Sequence, residues 1–167
     1  MKPATINHFR RAFTLIELLV VISIIGILAA LTIASYSGAQ KRARDSQRQS
    51  DVNQYRTALE NFATGNTGSL YPSRTTATGT AASTTLCSDL TTTYISACPE
   101  DPRYPDDNTF TYLYQSDGSG GGALDATHYV LWTQKENPTA SFWIVCSNGQ
   151  VGTVTSGIPP SSGTCPL

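Results

Sequence analysis

The sequence predicts an α+β protein: a long N-terminal α-helix whose C-terminal half packs on an antiparallel sheet of three or four strands. Three observations predict it. Residues 13–34, FTLIELLVVISIIGILAALTIA, form a 22-residue run that is almost entirely apolar. Residues 35–63 carry apolar side chains at helical spacing with no proline. Residues 109–155 hold short alternating runs separated by turn signals.

The apolar run comes first in importance. As a helix it spans roughly 33 Å, about the hydrocarbon core of a bilayer. Its only ionisable side chain is Glu17. A short leader, residues 1–12, precedes it and carries Lys2, Arg10 and Arg11. A secretory signal peptide would be cut after the apolar region, at small residues such as Ala29, Ala30 or Ala34. The run is longer than such a core, and the helical pattern continues through it without a break. The run therefore reads as retained. The residues after 34 suffice for one modest domain and not two.

Residues 35–63 continue the helix. Ala39, Ala43, Val52, Tyr55, Leu59 and Phe62 are expected on one apolar face. Lys41/Asp45 and Arg56/Glu60 are opposite-charge pairs at i,i+4 and are expected on the other face. The basic cluster 41–48 reads as a solvated face. Gly65 is the expected stop.

Residues 64–167 are the expected head. Residues 64–85 read as a Thr/Ser/Gly/Ala-rich loop, and residues 86–98 as a short helical turn with Leu86, Leu90, Tyr94 and Ile95 inward. Strands are expected at 109–116, 128–135, 141–147 and 150–155, with residues 117–126 as a flexible hairpin loop and Asn148-Gly149 as a tight turn. The tail is irregular. Four cysteines, Cys87, Cys98, Cys146 and Cys165, all lie beyond the apolar run. An even count on that side predicts two disulfides and places the head on the translocated, outer side of the membrane. Four cysteines allow three pairings, and proximity in sequence favours Cys87–Cys98 with Cys146–Cys165.

Charge and motif content narrow the function. The chain has a formal net charge of −1, but its basic residues gather before residue 57 and its acidic ones after residue 88. An acidic head argues against nucleic-acid binding. The two histidines, His8 and His128, sit in the leader and in a strand. No nucleophile–base pair, paired-carboxylate motif or phosphate loop accompanies them, so no enzyme and no cofactor is expected. Asp106, Asp107, Asp117 and Asp125 lack a calcium-loop spacing and read as solvated carboxylates, and no metal is expected. Trp132 and Trp143 read as sheet packing.

Residues 10–30, RRAFTLIELLVVISIIGILAA, closely resemble the N-terminus of type IV prepilins and of the related pseudopilins of type II secretion and competence systems. Looser likenesses follow in the head: Tyr71-Pro72 after the helix, Asp101-Pro102 before the first strand, and HYVLWTQKEN (128–137) as the second strand. The resemblance implies that a membrane-embedded prepilin peptidase cuts between Ala12 and Phe13 on the cytoplasmic side and methylates the new amine of Phe13. It implies a subunit that waits in the inner membrane, in contact with lipid, with its head outside. Assembly machinery then packs it, helix against helix, with other copies and other pilins into a filament. Glu17 would serve assembly by meeting the Phe13 amine of its own or an adjacent subunit. The family usually has Gly before the cut, where this chain has Ala12. Many pilins have a proline in the apolar helix, where this chain has only Gly26 as a weak point. A type IV pilus subunit is the first expectation and a pseudopilin the alternative. A membrane-tethered binding protein is the competing class; it would need the anchor but neither Glu17 nor the Ala12-Phe13 junction.

Overall fold

The computed structural model describes residues 13–155, 160 and 163–167, with the side chains of 34, 35, 91 and 92 left aside. The chain divides into two compact units, Met1–Ala39 and Gln40–Leu167. The long helix, α1 (Leu15–Gly65), contributes to both.

In the first unit the described side chains of the apolar run are exposed. The run is the one stretch among the described residues long and apolar enough to cross a membrane. Its few hydroxyls turn back on the helix itself. Ser23 Oγ donates to Leu19 O at 2.7 Å and Thr32 Oγ1 to Leu28 O at 2.6 Å. A hydroxyl that bonds its own backbone asks nothing of a hydrocarbon surrounding.

The second unit is built on an antiparallel sheet. Its strands are β1 (Tyr71–Pro72), β2 (Thr80–Ala81), β3 (Leu113–Ser116), β4 (Leu124–Ala126), β5 (Tyr129–Lys135), β6 (Ser141–Cys146) and β7 (Val151–Val154). Five of them form one sheet in the order β2-β3-β5-β6-β7, and β1 pairs with β4 in a separate two-stranded ribbon. The four longer strands of the main sheet are those the alternation predicts. β2 is an addition, from a segment that reads as a loop. A two-residue strand leaves no alternation to read, and β2 exists because Thr80 and Ala81 pair with Tyr114 and Leu113. The Gly-rich linker likewise holds β4, which pairs with β1. β3 begins four residues later than expected. Thr109 N–H bonds Asp107 Oδ1 and Phe110 N–H bonds Asp107 O, and this turn takes the backbone groups a strand would need. The Asn148-Gly149 turn forms as expected, with Gly149 at φ +87.

Register sorts the side chains onto two faces. β5 and β6 pair Leu131 with Val145 and Trp132 with Ile144. Tyr129, Leu131, Val145, Tyr112 and Tyr114 join Val52, Tyr55, Leu59 and Phe62 of α1 in the main core. Each fully buried side chain of this size adds about 1.5–3 kcal/mol. Val130, Trp132, Ile144 and Cys146 form a smaller core on the opposite face. A short helix, α2 (Cys87–Tyr94), follows a π-helical turn at Ala82–Leu86; the turn supplies Leu86 and the helix Leu90 to the main core. α1 ends at Gly65, where a Cβ would sit 2.7 Å from Tyr94 Oη. Asn66 Nδ2 then donates to Phe62 O, satisfying an orphan carbonyl of the last turn.

The helix face upstream of Val52 departs from expectation. Ala39 and Ala43 are exposed. Asp45, Arg48 and Asp51 are buried instead. No Lys41–Asp45 or Arg56–Glu60 ion pair forms. Asp45 turns to Arg48, and Glu60 accepts hydroxyl bonds from Tyr71 and Tyr129. The cluster 41–48 is therefore not one solvated face. Lys41 and Arg42 are exposed, Arg44 is half-buried and Arg48 is buried.

Candidate functional site: the start of the long helix

Phe13 stands just before α1, with its side chain 86% exposed. Ala12, the other side of the expected cut, lies outside the described residues. Thr14 caps the helix. Glu17 N–H bonds Thr14 Oγ1 at 3.2 Å, and Thr14 N–H bonds Glu17 Oε2 at 2.9 Å. This is a reciprocal capping box, in which each residue's side chain accepts the other's orphan backbone N–H. The Thr14 hydroxyl also donates to Oε2, at 2.9 Å. The T-x-x-E spacing at 14–17 is the box's sequence signal, which the expectations above leave out. Glu17 thus has a local role before any other is considered. It holds the first turn, and the macrodipole favours a carboxylate there. Its side-chain hydrogen bonds to Thr14 fall on Oε2.

A second constellation was also missed. Arg48, fully buried, binds three carboxylates from three parts of the second unit. Its Nε and Nη2 take Asp101 in a two-pronged grip at 2.6 and 2.9 Å. Its Nη1 lies 2.8 Å from Asp45 Oδ1 and 2.9 Å from Glu136 Oε1. Arg44 grips Glu136 with two bonds of 2.6 Å. Asp45 also accepts the backbone N–H groups of Glu136 and Asn137. The guanidiniums of Arg48 and Arg103 both lie over the Phe110 ring, at 4.5 and 4.6 Å. Arg44 beside Glu136 holds that carboxyl down at about 2. Burial alone would lower Arg48, but its bonds to Asp101 carry it well above the ordinary range. Asp51 is the exception. Burial pushes it up, and the Tyr112 hydroxyl, 2.7 Å away, pulls against that.

The cysteines stand as Cys87–Cys98 and Cys146–Cys165, with Cα separations of 6.0 and 5.7 Å, ordinary for disulfides. The second pair ties the tail to β6. Three of the four aspartates considered for calcium are engaged separately. Asp107 bonds Thr109 and Arg103, Asp117 bonds Thr127 and His128, and Asp125 bonds the Ser119 N–H. Among the described residues no three His, Cys, Asp or Glu side chains gather as a metal set. His128 is largely exposed, beside Asp117.

The geometry at 13–17 meets known proteins at this same segment. The prokaryotic N-terminal methylation motif matches residues 7–33. The type IV major pilin protein PilA of Myxococcus xanthus is 39% identical over 62 residues, 37% of this chain and 28% of that protein. A type IV major fimbrial protein FimA of Dichelobacter nodosus is 47% identical over 54 residues, 32% of this chain and 35% of that protein. Together these support the type IV pilin family. The chain spans about a third of the length of the curated relatives it matches. No solved structure matches the chain. The methylation motif covers the capping box and the apolar run to residue 33, and the residues of the head lie outside it. The relatives are named as pilins and fimbrial proteins, and the apolar run of this chain is long and apolar enough to cross a membrane.

Proposed function

We propose that this chain is a structural subunit of a type IV pilus. A prepilin peptidase removes residues 1–12 and methylates the Phe13 amine. Inner-membrane assembly machinery then polymerises the subunit through residues 13–34, with copies of itself and other pilins as partners. One observation carries the reading: a fully exposed apolar helix that begins with a carboxylate, inside a matched methylation motif.

Hydrocarbon explains the apolar surface but not Glu17. A carboxylate at the bilayer centre costs about 2.5–3.5 kcal/mol on insertion scales, less near a helix start. The capping box offsets part of that cost and leaves a net negative charge. A cationic amine at Phe13 is the complementary charge, and processing creates it four residues away. In a dry core of packed helices the pair neutralises. The subunit so described holds its head outside the inner membrane first, and then stands on the cell-surface pilus. It needs no cofactor, metal, nucleic acid or catalytic group. The pilus is preferred to a pseudopilus because the relatives carry pilin and fimbrial names.

The test is the mature N-terminus by intact-protein mass spectrometry, followed by Glu17→Ala. Methylated Phe13 at the new terminus is expected, with loss of surface filaments in Glu17→Ala while membrane levels hold. A protein beginning at unmodified Met1, or cut near Ala30 or Ala34, defeats the reading. Surface display that survives Glu17→Ala unchanged points to a tether.

A further inference from the structure

The basic residues that follow the apolar run divide into two pairs. Arg44 and Arg48 are held by carboxylates of the second unit. Lys41 and Arg42 are exposed, and neither has a carboxylate within ion-pair distance among the described residues. Asp45, four residues after Lys41, is occupied by Arg48 and by the backbone N–H groups of Glu136 and Asn137. α1 runs unbroken from the apolar run past this pair. Residues 18–40, between Glu17 and Lys41, hold no acidic or basic side chain. As a helix they span roughly 35 Å. A hydrocarbon core takes about 30 Å of that, and each headgroup layer adds about 5–8 Å. Tyr36, 69% exposed, falls in the last part of this interval, where a ring with a polar tip suits a membrane interface.

We infer that Lys41 and Arg42 bind the phosphate groups of anionic phospholipids on the side of the membrane where the head stands. The inference rests on the membrane stage of the function proposed above and adds to it a lipid class and two residues. Side chains on an α-helix lean toward its N-terminus. On a helix that leaves the membrane by its C-terminal side, that direction is back toward the headgroups. A Lys or Arg stem lies along apolar surface while its charged end reaches a phosphate. The chemistry selects the partner. Two adjacent cations with no internal anion call for an external one. Arg grips phosphate oxygens with a planar fork, and Lys meets them as a compact charge. A nucleic acid would need a wider basic face. The exposed side chains of α1 from residue 43 to residue 64 are all uncharged, so the basic surface on this helix stops at Arg42. The pair therefore closes the outer end of the span and sets how deep the waiting helix sits.

The experiment uses the full chain reconstituted in phosphatidylcholine vesicles with a trace of spin-labelled lipid. Electron paramagnetic resonance measures the motionally restricted fraction, and with it the preference of the protein for phosphatidylglycerol over phosphatidylcholine. The unsubstituted chain is expected to prefer the anionic lipid. Lys41→Gln with Arg42→Gln is expected to lower that preference about threefold or more, while Lys41→Arg with Arg42→Lys keeps it. The leader's cations are the same in every chain, so the difference belongs to positions 41 and 42. In 1 M salt, where charges are screened beyond about 3 Å, the gap between the unsubstituted chain and the glutamine pair is expected to close. Both sites are exposed, and near-UV circular dichroism confirms that each head is folded. Equal preference in the unsubstituted chain and the glutamine pair, or a gap that persists in 1 M salt, overturns the headgroup contact. Failure of the unsubstituted chain to make filaments defeats the pilus reading and leaves the lipid contact standing. Exclusion of the full chain from the vesicles defeats both.

Discussion

Residues 15–33 and residues 44–51 belong to one helix yet treat charge in opposite ways. In the first stretch the apolar side chains face outward and the single carboxylate is held by its own first turn. In the second, two arginines and two aspartates turn inward and the outward positions are polar but uncharged. The difference follows from what each stretch must meet. Under the pilus reading the first meets lipid and then other helices, and Glu17 is its one ionisable side chain. The second must hold a head whose loops at 101 and 136 bring carboxylates and little apolar surface. Ion pairing substitutes there for the hydrophobic contact that Val52 to Phe62 make further along.

The largest effect is expected from removing the centre of that ionic stretch. Arg48→Met leaves Asp45, Asp101 and Glu136 with one guanidinium fewer among them, and Asp101 loses its two-pronged partner. Breaking a buried pair from one side costs about 3–5 kcal/mol. Urea unfolding of the full chain in detergent, followed by near-UV circular dichroism, measures it. A loss below about 1 kcal/mol, the range of surface pairs, would mean that the cluster behaves as solvated charge and that the contrast between the two stretches fails.

A smaller effect is expected from pH. Glu136 sits near 2 in the folded protein against an ordinary 4.5, because Arg44 bonds it and Arg48 lies beside it. A carboxyl depressed by folding stabilises above its unfolded value, and the contribution is lost as pH falls through the folded one. Stability from this group is therefore complete above about pH 4.5 and drains away between there and about pH 2. Glu136→Gln should flatten the acid limb of the stability curve in that window and leave the neutral-pH slope unchanged. An unaltered acid limb would assign the loss to the other carboxylates.

Much of this was legible in the sequence, and the parts that were not have physical causes. The apolar run, the stop at Gly65, the four longer strands and the Asn148-Gly149 turn each rest on a local pattern, and local patterns survive folding. β1, β2 and β4 are two or three residues long and exist only through partners distant in sequence. The buried ions depart from expectation because charge alone does not mark a solvated face. The spacing said otherwise. Stepping back from Phe62, Leu59, Tyr55 and Val52 by alternating fours and threes lands on Arg48 and Asp45, so the core stripe runs straight into the ion cluster. Periodicity was the better guide than polarity, because it reports which face is covered whatever the side chains are. At the helix start, the sequence expectation pairs Glu17 with the Phe13 amine of its own or an adjacent subunit and gives no part to the Thr14 bond at i−3.

That omission yields the smallest of the expected effects. Thr14→Ala removes the acceptor for Glu17 N–H and a donor to Glu17 Oε2, and leaves the carboxylate in place. Loss of such a cap costs about 0.5–2 kcal/mol, and it acts on the first turn alone. Amide exchange at residues 15–18 in detergent micelles should quicken, while exchange within 52–62 stays as it was. Thr14→Ser should restore protection, since its hydroxyl can make the same bonds. The result bears on the comparison directly. Faster exchange shows that the charge in the apolar stretch is held locally, unlike the charges at 44–51, which are held by segments more than fifty residues away in sequence. Unchanged exchange would mean that Glu17 is not fixed within its own turn, and the two stretches would then differ in solvent alone.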